Sequence, residues 1–82
     1  MTYRAELSQR ALRQLGDFPV KAFDALIEAM ARVVEYPDDP MRTFPTSDPY
    51  VRRAEFGVAG LVTYVVNDAH QTVTLTDVTW AG

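Results

Sequence analysis

Apolar residues at helical spacing before residue 35, three β-rich runs after residue 50 and a proline- and aspartate-rich stretch between them predict an α+β fold. The expected order is an N-terminal strand, a two-helix hairpin and then three antiparallel strands, with both helices on one face of a sheet of about four strands.

Each element has its own signal. Tyr3-Arg4-Ala5-Glu6-Leu7 alternates apolar and charged residues, as a half-buried strand does. Ser8 is placed to cap the next turn, and Leu7 and Leu12 flank it at the spacing of a hydrophobic staple. Helix 1 then presents Ala11, Leu12 and Leu15 on one side, and Gly16 supplies a left-handed terminator. Asp17-Phe18-Pro19 opens a second helix with proline in its first turn. Phe23, Leu26, Ile27, Met30 and Val34 form its apolar stripe, the expected core. This helix stops before Tyr36-Pro37, because a residue preceding proline avoids helical angles.

From Pro37 to Pro49 little periodicity remains, which predicts a loop or tether. Val51–Phe56 reads as extended, Gly57–Gly60 as a turn, and Leu61–Val66 as a strand whose continuous apolar character makes it central. Asn67–His70 is a turn cluster before a long strand over Thr72–Trp80. In that strand Val73, Leu75 and Asp77 face one way, and Thr72, Thr74, Thr76 and Val78 the other.

Eighty-two residues predict one domain spanning 1–82, with a core small enough to gain from a partner or a second copy. The absence of cysteine excludes a disulfide framework and a thiolate metal site. No apolar run approaches the ~18 residues of a membrane span. No signal-peptide pattern opens the chain, so a cytoplasmic protein without membrane contact is expected. Eight basic against eleven acidic side chains give a net charge of −3. That sign is wrong for a global grip on phosphate, so any nucleic-acid contact rests on a local patch.

Arg52 and Arg53 are the cations best placed to form one. As neighbours on a strand they point to opposite faces; the plainer reading pairs them with Glu55 or with Asp38 and Asp39. Asp38 and Asp39 sit between prolines, as turn formers do, with no histidine or cysteine near them in sequence. His70 is the only side chain with an unperturbed pKa suited to proton transfer near neutrality, but it falls in a turn, where a solvated role is the simpler one. Trp80 suits a base-stacking platform, an interface anchor or, more simply, the edge of the core. No phosphate loop, nucleophile–histidine–acid set or metal-ligand cluster appears, and no cofactor is expected.

Several segments carry a resemblance. "Strand, Ser, x, x, Ala, x, x, x, Leu" is met by Tyr3 through Leu15, an "x-x-P-x-x-P" helix exit by Glu35 through Pro40, a basic strand by Arg52-Arg53, and "V-x-Y-x-V-x-D" by Val62, Tyr64, Val66 and Asp68. Together they resemble the RelE/ParE superfamily of small bacterial toxins. The resemblance implies the toxin of a type II toxin–antitoxin system, which inhibits growth. Its partner would be a cognate antitoxin and its target the ribosome and messenger RNA, or DNA gyrase; a homodimer is a further expectation. Arg52 and Arg53 become the catalytic candidates, and Arg52, Arg53 and Trp80 the groups that would touch RNA or another target. The chain also departs from the pattern. Members that cut messenger RNA carry a basic residue where this chain has Leu61, or Gly60 with the register slipped by one, and an ionisable cluster after the last strand, where this chain has no ionisable side chain beyond Asp77. The expectation is therefore a toxin-like protein of weak or absent catalysis that acts by binding. The alternative is a ribosome-dependent messenger-RNA endoribonuclease.

Overall fold

The computed structural model describes residues 2–81. Seven elements follow one another: β1 (Arg4–Leu7), α1 (Gln9–Leu15), α2 (Val20–Val33), β2 (Thr43–Pro45), β3 (Val51–Phe56), β4 (Gly60–Asn67) and β5 (Thr72–Trp80). They form one five-stranded sheet of order β1-β5-β4-β3-β2. The β3–β4–β5 meander is antiparallel as expected, and β4 lies at the centre. β1 runs parallel to β5, with Arg4 beside Thr72 and Leu7 beside Leu75.

The fifth strand corrects the reading of 37–49 as an irregular tether. Thr43–Pro45 pairs antiparallel with Ala54–Arg52 at the sheet edge. Three residues ending in proline make a strand only because β3 offers it a ladder, and the proline suits an edge position.

Ser8 caps α1 as the sequence implies, its Oγ accepting from the Ala11 amide at 3.1 Å. Gly16 does not terminate the helix in the left-handed region; its φ of −60° is helical. Successive i→i−3 bonds from the amides of Gly16, Asp17 and Phe18 tighten the chain instead, and Pro19 ends it. Pro19 itself is extended and stands as the N-cap of α2, one residue outside the helix rather than in its first turn.

The buried stripe of α2 is rotated from the expected one. Ala22, Leu26, Ala29, Met30 and Val33 are buried, whereas Phe23 and Ile27 are exposed. Alanines at 22 and 29 let the helix approach the sheet more closely than phenylalanine and isoleucine would, so the small residues set the phase. In α1, likewise, Ala11 is fully buried and Leu12 exposed. Leu7, the other half of the expected staple, is also exposed.

Both helices cover the same sheet face. Ala11 of α1 and Leu26, Ala29, Met30 and Val33 of α2 join Ala54, Phe56, Val62, Tyr64, Val73, Leu75 and Val78 in one core cluster. Val78 belongs there because of a β-bulge: Tyr64 pairs with Leu75 but Thr63 pairs with Asp77, leaving Thr76 as the extra residue. The bulge reverses the alternation, so Val78 faces the core and Asp77 leaves the side of Val73 and Leu75. Beyond the end of β1, Gln14 takes over as neighbour to β5. Its Oε1 accepts from the Val78 amide and its Nε2 donates to Asp77 Oδ1, both at 2.8 Å. Arg10 adds an ion pair to the same carboxylate at 3.2 Å. Among the described residues no helix is long and apolar enough to cross a membrane.

Candidate functional site: the open face of the sheet

Residues that pair across a ladder share a face, so the register maps the uncovered side. One row runs Val51, Val65, Thr74, Glu6; the next runs Phe44, Arg53, Thr63, Asp77; a third holds Glu55, Leu61 and Thr79. Thr76, the bulged residue, lies near Arg53's row, its hydroxyl donating to the Thr63 carbonyl at 3.3 Å. This face mixes threonine hydroxyls with charges of both signs, of which Glu6 is paired with Arg4 and Asp77 with Arg10.

Arg52 and Arg53 take opposite faces, as their adjacency requires. Neither makes the expected ion pair: among the described residues the salt bridges are Arg4–Glu6, Arg10–Asp77 and Arg42–Asp39. Arg53 is exposed on the open face, opposite Thr63 on one side and Phe44 on the other. Arg52 lies on the helix side beyond the end of α2. Its Nε and Nη2 both donate to Thr43 Oγ1, at 3.0 and 2.8 Å, and Thr43 in turn donates to the Asp39 carbonyl at 2.6 Å. Arg52 therefore pins the 37–43 turn to β3 and is only partly free for a ligand.

A cleft of about 260 Å³ opens beside Arg52, walled by Tyr3, Asp38, Tyr50 and Asp68. Tyr64 lies fully buried nearby and donates to the Pro37 carbonyl at 2.7 Å. Burial pushes its phenol above the ordinary tyrosine range, with Thr43 and the Arg52 guanidinium acting in the opposite direction. The Tyr3 phenol is raised as well, chiefly because it donates to Asp68 Oδ1 at 2.6 Å. Both phenols stay protonated at neutral pH, so neither offers a base there.

The remaining candidates lie apart. Asp39 is a turn former: its Oδ1 accepts from the Met41 amide at 2.9 Å and its Oδ2 is 3.9 Å from Arg42 Nε. Asp38 is exposed at the mouth of the Arg52 cleft. Among the described residues no three of His, Cys, Asp and Glu gather in a way that could hold a metal ion. His70 is exposed in the β4–β5 turn, where its amide donates to Asn67 Oδ1 at 3.1 Å. It borders a shallow groove at the β1 end of the open face with Arg4, Glu6, Thr72 and Thr74. The groove reaches β4 through Val65 and Asn67, whereas Arg53 is on β3 and does not line it. Trp80 is on the covered face, its ring 5.8 Å from that of Phe56, which in turn stacks on Phe18 at 6.3 Å. Gly57, at a φ of 59°, leaves room for this indole; a Cβ there would come within 2.9 Å of it. Trp80 and Arg53 therefore do not share a surface.

Sequence reasoning missed Arg4 as an open-face cation and Thr43 as the acceptor for Arg52. The first follows only from the parallel β1–β5 pairing and the second only from β2, and neither has a local signal. Chemically, the open face holds one unpaired guanidinium, Arg53, a row of hydroxyls, and leucine at position 61. It can attract an anion, but it brings no group that titrates near neutrality up to Arg53.

The fold is nonetheless a known one. A mutant of the Escherichia coli toxin RelE, solved in complex with an antitoxin RelBc peptide, superposes with a TM-score of 0.85 at 19% identity, over 100% of this chain and 86% of that one. The Mycobacterium tuberculosis toxin–antitoxin complex RelBE2 gives 0.84 at 20% identity, over 99% and 100% of the two chains. The archaeal RelE–RelB complex from Pyrococcus horikoshii gives 0.70 at 17%, over 100% and 98%. At these identities the likeness establishes the fold. No protein-family model matches the sequence, and no curated protein matches it.

Proposed function

We propose that this chain is the toxin-like member of a toxin–antitoxin pair, that it works in the cytoplasm, and that it acts by binding an antitoxin and a cellular target rather than by cutting RNA efficiently. The scaffold supports the first part: the structures it resembles at TM-scores of 0.84–0.85 are of toxins solved with antitoxin chains or peptides. The observation that carries the second part is the make-up of the open face, where Arg53 stands without an acid–base partner and Leu61 occupies the strand position at which the resemblance implies a cation.

Cleavage through a 2′-hydroxyl needs a base, an acid for the leaving oxygen and cations for the charge that develops on phosphorus. Each preorganised donor missing from such a site costs about 10²–10³ in rate. General acid–base catalysis contributes roughly another 10²–10⁴, and His70 lies across β4 from the Arg53 strand. A guanidinium among threonine hydroxyls suits contact with phosphate or carboxylate but not turnover.

Two experiments test this. Co-expression with the product of the neighbouring reading frame should yield a complex that survives a sizing column; separate elution at equal concentration counts against partner binding. Primer extension on translating ribosomes after induction should show no site-specific cleavage. Cleavage abolished by Arg53→Ala would instead establish the endoribonuclease.

A further inference from the structure

We infer that the hollow between the C-terminal half of α2 and the β2–β3 edge is an anchor pocket: it receives one large apolar side chain of a partner polypeptide whose neighbouring carboxylate lies over Arg32. The inference rests on the partner-binding reading above and gives it a place and a chemistry. The hollow holds about 190 Å³. That is below the ~300–1,000 Å³ typical of small-molecule sites, so it suits a single side chain better than a cofactor. Its floor is formed by the buried, small Ala29, Val33 and Ala54.

The rim carries the second observation. Tyr36 and Met41 border this hollow with large apolar side chains that face water, Met41 88% exposed. Phe44 borders it from β2, its pairing with Arg53 placing its ring on the open face. Scattered exposed apolar residues need no explanation, but two beside one concave floor form the patch-and-pocket arrangement of interface hot spots.

Charge fixes the occupant and its direction. Arg32, on α2, is in no ion pair among the described residues. Arg42, on the turn, has only a 3.9 Å contact with Asp39, whose other oxygen already takes the Met41 amide. Glu55 borders the hollow from β3, its side chain in the open-face row of Leu61 and Thr79. A segment with its acidic side over α2 is attracted; the reverse orientation carries its carboxylate away from Arg32.

The pocket can be probed without the partner. In ¹H–¹⁵N spectra, 3-phenylpropionate should shift the amides of Ala29, Val33, Met41 and Phe44 saturably, 3-phenylpropanamide should do so more weakly, and 3-phenylpropylamine most weakly. Arg32→Glu, at an exposed position, should invert the order of acid and amine. Met41→Asp and Tyr36→Asp should weaken capture of the neighbouring gene product by about tenfold or more. No saturable shift at these amides, or the amine binding better than the acid in the unaltered chain, overturns the inference. So do probe-free shifts of the same amides that grow with protein concentration, which would make a second copy the occupant. Undiminished capture by both aspartate variants overturns the pocket and leaves partner binding intact. Uptake of phenylpropionate in the predicted order by a chain that captures no partner supports the pocket and counts against the partner reading.

Discussion

The two faces of this sheet were built under different demands. The helix-covered face is apolar except where Arg52 meets Thr43 and where phenols reach its edge, and it has no unsatisfied buried side-chain polar atom among the described residues; the buried phenol of Tyr64 is tied to the Pro37 carbonyl. The open face alternates threonine with isolated charges, and Arg53 is left without a carboxylate partner. Packing tolerates few substitutions on the first face, whereas on the second the choice of residue is free to follow function. The binding role proposed above draws on that second face, where leucine stands at position 61.

The sharpest way to break the comparison uses two adjacent residues of α2. Leu26→Asp sets an unpaired carboxylate in the core, at a cost of about 3–5 kcal/mol, and should abolish cooperative thermal unfolding of a domain worth only ~5–15 kcal/mol in total. Ile27→Asp, one residue along and half exposed, should leave the melt within about 0.5 kcal/mol of the parent. Gly60→Ala comes next. Its Cβ would lie 2.5 Å from the Phe56 ring and 2.6 Å from the Phe56 carbonyl, and the strain should cost about 1–3 kcal/mol by chemical denaturation.

Tyr64→Phe leaves the buried Pro37 carbonyl without its donor and should cost roughly 1–3 kcal/mol. It also changes the pH dependence. The Tyr64 phenol is raised in the folded state, so its stabilising contribution is complete below the ordinary tyrosine value of 10.0. As pH climbs past that value the unfolded chain loses the proton first, and the contribution disappears as pH rises through the folded-state value. Denaturation midpoints measured from pH 8 to 11 should fall at the alkaline end, and less steeply in Tyr64→Phe. The smallest effect belongs to the open face: Arg53→Ala should move stability by no more than about 0.5 kcal/mol while weakening retention on immobilised RNA or on the target. A destabilisation as large as that of Tyr64→Phe would show that Arg53 serves packing after all.

Much of this contrast could be read from the sequence, and its failures have physical causes. Period-two alternation placed Arg52 and Arg53 on opposite faces, and the apolar run 61–66 identified the central strand. In α2 the period gave the helix but not its rotation, because apolar residues occupy more than half of its circumference and alanines, weak in any hydrophobicity count, decide which side lies closest to the sheet. The bulge at Thr76 has no local signature, so Val78 was assigned to the wrong face. β2 exists only through its pairing with β3, and with it went any sight of Thr43 as the acceptor that holds Arg52. The open face was legible in its residues but not in its neighbours, since the row joining Arg4 and Glu6 to Thr72 and Thr74 depends on β1 docking beside β5.

That docking also governs the order in which the molecule can assemble. β1 is made well before β5, yet each is the other's neighbour in the sheet. Such sequence-distant pairing is entropically slow to close. During synthesis β1 must wait, unpaired, until β5 has been made. The sheet edge that would receive β1 is thus absent until β5 has emerged, and the five-stranded surface offered to any partner is complete only then.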